Sequence, residues 1–128
     1  MPADKGPPRC VLIVDDEPLV RDMLARALLG MGLQALTAGS AGEALEAVRL
    51  SAGCVALVLL DLNMPGLGGL AVLDALRGLD PPVPVLLVSG AADLLGADEL
   101  ARLGAAGALA KPFDLARLRE AVAALLGR

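Results

Sequence analysis

The chain has 128 residues, enough for one domain that buries roughly two-thirds of its unfolded surface and too few for two. Hydrophobic residues make up 56% of it, dominated by Leu, Ala and Val with a single aromatic, Phe113, so the expected core is aliphatic. The net charge of −4 and the scattered basic residues argue against direct DNA binding, and the lack of histidine excludes Ser-His-Asp and Cys-His catalysis and histidine metal ligation.

Residues 1–9 hold three prolines, a glycine and mixed charge, and read as a flexible leader to a domain spanning 10–126. Val11-Leu12-Ile13-Val14 reads as a first strand. Glu17-Pro18 then supplies a helix start, and Leu19, Val20, Met23, Leu24, Ala27 and Leu28 recur with helical period up to Gly30. Residues 33–38 make a short second strand. Ser40 and Glu43 form a capping box ahead of a helix whose face is Ala44, Leu45 and Val48, ending near Gly53. The run 55–60 is apolar without alternation, the pattern of a central parallel strand covered on both faces. A turn-rich loop over 63–69 leads to a helix carrying Val72, Leu73 and Leu76, and the segment 78–82 breaks it. Residues 83–88 give a fourth strand. The next helix, 93–103, is diluted by Gly96 and is expected to be the least stable and the region mobile. Gly107–Ala110 is a fifth strand, and from Asp114, an N-cap, Leu115, Leu118, Val122 and Leu125 stripe the last helix. Strands alternating with single helices imply right-handed crossovers, a parallel sheet and helices on both faces. Cys10 and Cys54 fall at or beside buried strands, where a free thiol acts as a small apolar group, and no disulfide is expected. No apolar run approaches the ~20 residues that cross a bilayer, and a cytoplasmic protein without membrane insertion is expected.

The apolar strands end on a few polar residues: Asp15 and Asp16 after the first, Asp61 after the third, Ser89 after the fourth and Lys111 after the fifth. In a parallel sheet these ends share one edge, where open α/β sheets hold ligands. Two carboxylates ~5 Å apart repel by roughly 3 kcal/mol at an effective dielectric near 20, so Asp15, Asp16 and Asp61 together need a cation, a raised pKa, or both. Hard oxygen donors without imidazole or thiolate suit Mg²⁺ or Mn²⁺. Lys111 could neutralise an oxygen of an incoming phosphoryl group, and Ser89 could donate a hydroxyl to another. Each residue alone reads as a cap or a solvated turn; in this order they read as one cleft.

On Val14-Asp15-Asp16-Glu17, Leu60-Asp61-Leu62-Asn63-Met64-Pro65-Gly66, Val88-Ser89-Gly90 and Lys111-Pro112-Phe113, the chain resembles the receiver domains of bacterial two-component response regulators over nearly all of residues 10–126. The resemblance implies a flavodoxin-like five-stranded parallel sheet of order 2-1-3-4-5. It implies that Asp61 is the phosphoacceptor and that Mg²⁺ is held by Asp15, Asp16, Asp61 and the main-chain carbonyl of Asn63. It further implies that Lys111 pairs with the acyl phosphate, that the Lys111–Pro112 bond is often cis, and that Ser89 is the switch hydroxyl, drawing the loop over residues 90–92 inward. The implied partners are a histidine kinase or histidine phosphotransfer protein as donor and a downstream protein as reader; the chain would be a stand-alone regulator or the receiver segment of a hybrid histidine kinase. A homodimer through the last two helices is common among such domains. Receiver domains usually carry Tyr or Phe three residues before the lysine, and here Ala108 stands there, so the aromatic half of the usual switch is missing.

Two other classes compete. An aspartyl-phosphate phosphohydrolase would also use a strand-end Asp and Mg²⁺, but it wants a second acid two residues on, where Asn63 stands. A non-phosphorylated interaction scaffold would have no use for Asp15, Asp16, Asp61 and Lys111 together. A dinucleotide-binding fold fails for want of Gly-x-Gly-x-x-Gly after the first strand.

Overall fold

The structure is a computed structural model that describes residues 10–51, 53–62, 68–78, 83–90 and 96–127. Its elements run β1 (Cys10–Val14), α1 (Pro18–Leu29), β2 (Gln34–Ala38), α2 (Ala41–Leu50), β3 (Val55–Asp61), α3 (Gly68–Arg77), β4 (Val85–Ser89), α4 (Ala97–Leu103), β5 (Gly107–Ala110) and α5 (Leu115–Leu126). The strands form one parallel sheet of order β2-β1-β3-β4-β5, as the alternation of strand and helix implies. The expected leader, the breaker residues 79–82 and most of the loop at 63–69 lie outside the described residues.

Period-two alternation divides the sheet's side chains between two aliphatic layers. Val11, Ile13, Leu57, Leu59 and Leu86 point to one face and meet Leu24 and Leu28 of α1 and Leu118, Val122 and Leu126 of α5. Leu12, Val14, Val58, Leu60, Val85 and Leu87 point to the other and meet Ala44 of α2, Val72, Leu73 and Leu76 of α3 and, less deeply, Leu100 and Leu103 of α4. Every residue of β1 and β4 is buried, which is why these strands read as unbroken apolar runs.

The local signals are resolved with some differences. Asp114 caps α5 by accepting the Arg117 N–H at 2.8 Å. Ser40 accepts the Glu43 N–H at 3.2 Å, but Glu43 reaches past the cap to accept the N–H of Gly39 at 2.8 Å, so the reciprocal half of the capping box is displaced by one residue. Gly30 does not reverse the chain after α1, because it keeps a right-handed φ of −63°; the left-handed residue is Gly32, at φ 80°. The fourth helix is described over Ala97–Leu103, with no buried residue, and residues 93–95 of the expected helix lie outside the described residues.

The cysteines depart from expectation: Cys10 and Cys54 form a disulfide instead of standing as two thiols. The cause is local. The Cys10 N–H donates to the Cys54 carbonyl at 2.9 Å, and the β1–β3 register slips between Cys10 and Val11. This brings the two Cα atoms to 5.5 Å, within the span of a disulfide. It joins the end of the sheet opposite the strand-end acids.

Among the described helices none is long and apolar enough to cross a membrane. The two-layer packing predicts that Leu59→Ala, at a residue 1% exposed beneath α1 and α5, costs about 2–5 kcal/mol in urea unfolding without changing the fold, measured by circular dichroism and the denaturation midpoint.

Candidate functional site

The ladder aligns the carboxyl ends of the inner strands. Val14 pairs with Leu60, Asp61 with Val88, and Ser89 with Ala110, so the residues that end or follow β1, β3, β4 and β5 stand along one edge. Two main-chain bonds continue this edge past the strands, Leu62 N–H to Val88 at 3.2 Å and Lys111 N–H to Ser89 at 2.9 Å. The buried polar residues among those described are Asp15, Asp61 and Ser89, at 1%, 3% and 3% exposure. Every other buried residue among those described is apolar. Burying a carboxylate is costly unless it is paired, so this coincidence marks the edge as built for charge.

Asp15 is held on all sides. Its N–H donates to Ala38 at the end of β2 at 3.1 Å, its Oδ1 accepts the Glu17 N–H at 2.9 Å, and its main-chain carbonyl accepts Nη1 of Arg21 at 2.7 Å. Pro18, first in α1, leaves no N–H to satisfy at the turn that follows. Asp16 is exposed, yet one carboxylate oxygen from each of Asp15, Asp16 and Asp61 lies within 4.8 Å of the others. Three carboxylate oxygens without nitrogen or sulfur fit a hard divalent cation such as Mg²⁺.

Lys111, just beyond β5, reaches across the edge with Nζ 3.4 Å from Asp61 Oδ2 and 3.6 Å from Asp15 Oδ2. Its bond to Pro112 is cis. Burial by itself disfavours the ammonium, but the Asp15 and Asp61 carboxylates outweigh it and hold its pKa above the usual lysine value. Asp15 is displaced upward, first by burial and also by the negative charges of Asp61 and Glu17. The Glu17 N–H and the Lys111 charge only partly offset this.

Of the residues singled out in the sequence, Asp15, Asp16, Asp61 and Lys111 therefore meet in one pocket. Ser89 ends β4, the strand between those of Asp61 and Lys111. The carbonyl of Asn63 and the loop residues 91 and 92 lie outside the described residues. Ala108 is half-buried against the layer of α2, α3 and α4. Arg21 was not singled out by its sequence context. It had a signal: an arginine near the start of a helix, where the helix dipole disfavours a cation, with no acid in the first turn to balance it.

Residues 11–123 match the response regulator receiver domain family. The transcriptional regulatory protein FixJ of Azorhizobium caulinodans is 40% identical over 119 residues, which are 92% of this chain and 55% of FixJ, so the chain spans about half the length of that relative. Among solved structures, the receiver domain of NtrX from Brucella abortus superposes with a TM-score of 0.81 at 36% identity, covering 91% of this chain and 98% of that one. The response regulator protein TrrA from Thermotoga maritima, in complex with Mg(2+)-BeF, superposes with a TM-score of 0.77 at 31% identity, covering 92% of this chain and 99% of that one. Sheet order, the acid cluster with its lysine, and similarity over most of the chain agree, and the chain belongs to the response regulator receiver domain family.

Proposed function

We propose that residues 10–126 work as a phosphoacceptor, with Asp61 taking a phosphoryl group from a phosphohistidine on a histidine kinase or histidine phosphotransfer protein. The observation that carries this reading is Lys111 Nζ, 3.4 Å from Asp61 and 3.6 Å from Asp15, in a pocket whose two nearest carboxylates are almost wholly withdrawn from water. A second phosphohistidine-type donor within the chain is impossible, since it has no histidine.

The chemistry asked of the chain's residues is modest. An Asp61 carboxylate oxygen forms a bond to phosphorus while the bond to the donor imidazole nitrogen breaks in line with it, so the work lies in positioning and charge. The partly buried Lys111 ammonium, kept charged by its two acidic neighbours, stands where the transferred oxygens gather negative charge. Ser89, at the end of the adjoining strand, donates its hydroxyl to another of those oxygens. Asp15, Asp16 and Asp61 would hold a divalent cation, Mg²⁺ or Mn²⁺, which when bound neutralises the carboxylates and draws charge from the phosphoryl group. The Asn63 carbonyl completes the proposed ligands. The chain thus catalyses its own phosphorylation and dephosphorylation and no turnover of a separate substrate.

With alanine at position 108, no ring is available to follow the hydroxyl, and the readout passes through Ser89 and the backbone between β4 and α4 to a downstream protein. α4, which has no buried residue, has the least packing to resist that motion. The reading goes with a cytoplasmic location.

Incubation with acetyl phosphate and Mg²⁺ is expected to add one phosphoryl group by intact mass, and Asp61→Asn to abolish the gain while remaining folded; a normal gain in that variant contradicts the assignment. The charge balance gives a second expectation, for the protein in chelator. Asp15 has a folded pKa above its unfolded value of about 3.9, so its contribution to stability is present below that pH and is lost as pH rises through the folded value. Asp15→Asn, which keeps an oxygen to accept the Glu17 N–H, should therefore melt above the wild type at pH 7, with the gap closing as the pH falls toward the unfolded value.

A further inference from the structure

We propose that Arg21 is a positioning residue for the acidic pocket: by binding the Asp15 carbonyl it fixes the peptide between Asp15 and Asp16 and so aims the Asp16 carboxylate. This rests on the proposed cation-binding role of Asp15, Asp16 and Asp61.

The carbonyl of Asp15 and the N–H of Asp16 belong to one rigid peptide plane. Arg21 Nη1 donates to that carbonyl at 2.7 Å, a charge-assisted bond in a partly buried place. The Asp15 side chain has its own anchors, the Glu17 N–H and Lys111. Asp16 has none: no hydrogen bond or ion pair among the described residues holds its side chain, so the direction it takes is set by its backbone. Arg21 is thus attached to the one unit that orients the least constrained acid.

Gly39 makes room for this contact. Its backbone is not in the left-handed region, so conformation does not require glycine there. A Cβ at this position would lie 2.8 Å from Arg21 Nη1 and 3.4 Å from Cζ. The Gly39 N–H is tied to Glu43 Oε1 at 2.8 Å, which holds the end of β2 against the guanidinium from the α2 side. Arg21 and Gly39 should therefore act as one unit.

The test measures Mg²⁺ affinity by calorimetry and the order parameter of the Asp16 amide by ¹⁵N relaxation in the metal-free protein, for wild type, Arg21→Met, Gly39→Ala and the double variant, each checked for folding by circular dichroism. Loss of a residue that orients a metal ligand weakens binding by roughly tenfold or more. Arg21→Met and Gly39→Ala are each expected to show this together with a more mobile Asp16 amide, and the double variant to bind no more weakly than Arg21→Met. Wild-type affinity and rigidity in folded Arg21→Met, or additive losses in the double variant, would overturn the proposal. If Arg21→Met does not fold, Gly39→Ala decides alone, and unchanged affinity there overturns it. If the wild type binds no Mg²⁺, the cation reading has failed, and the Asp16 order parameter still decides whether Arg21 holds the peptide.

Discussion

Two carboxylates withdrawn from water at the same sheet edge impose the condition that the rest of this molecule answers. Asp15 and Asp61 are each almost wholly buried, and Asp16 brings a third acid to within 4.8 Å. At that separation a pair of unit charges repels by roughly 3 kcal/mol at an effective dielectric near 20, a large fraction of the stability of a small domain. The chain offsets part of it with the Lys111 ammonium and with main-chain donors at Glu17, and leaves part uncompensated, as the upward displacement of Asp15 records. A receiver poised to accept a cation and a phosphoryl group is what such an unfinished balance would serve.

The aliphatic layers make that balance tolerable. Because β1 and β4 are buried along their whole length, and β3 over most of its own, the strand ends are placed by packing on both faces and cannot shift to relieve the repulsion. One side chain out of register would turn a strand's inner residues to the wrong layer. The acids are therefore held by leucines and valines that touch none of the chemistry, and the disulfide between Cys10 and Cys54 ties β1 to the start of β3 at the far end of the same strands. α4 is the exception, a short helix lacking a buried residue.

What could be read from the sequence follows from what is periodic. Unbroken apolar runs ending in Asp, Ser or Lys identified the strands, the alternation of strand and helix implied their shared edge, and Asp114 identified the start of α5 because its deciding contact lies three residues on. The features that escaped depend on the course of the folded backbone rather than on residue periodicity. The disulfide needs the register slip between β1 and β3, which no local pattern encodes. Glu43 bonds Gly39 because Gly39 sits at the end of a strand whose exit angle is set by the sheet. Arg21 looks like a surface charge on α1 until the fold brings the Asp15 carbonyl and Gly39 against it. Gly30 ends α1 as its place after the last periodic residues predicts, while the left-handed residue of the turn is Gly32, two residues on.

The central claim, that these acids and Lys111 form one cation-loaded pocket, is tested most directly by paramagnetic broadening with Mn²⁺ at substoichiometric concentration, read on the backbone amides. The account predicts broadening centred on Asp15, Asp16, Asp61, Leu62, Ser89 and Lys111, and abolished by excess Mg²⁺. Broadening confined to exposed acids elsewhere, such as Asp98 and Glu99 of α4, with the amides of Asp16 and Asp61 unaffected, would contradict it.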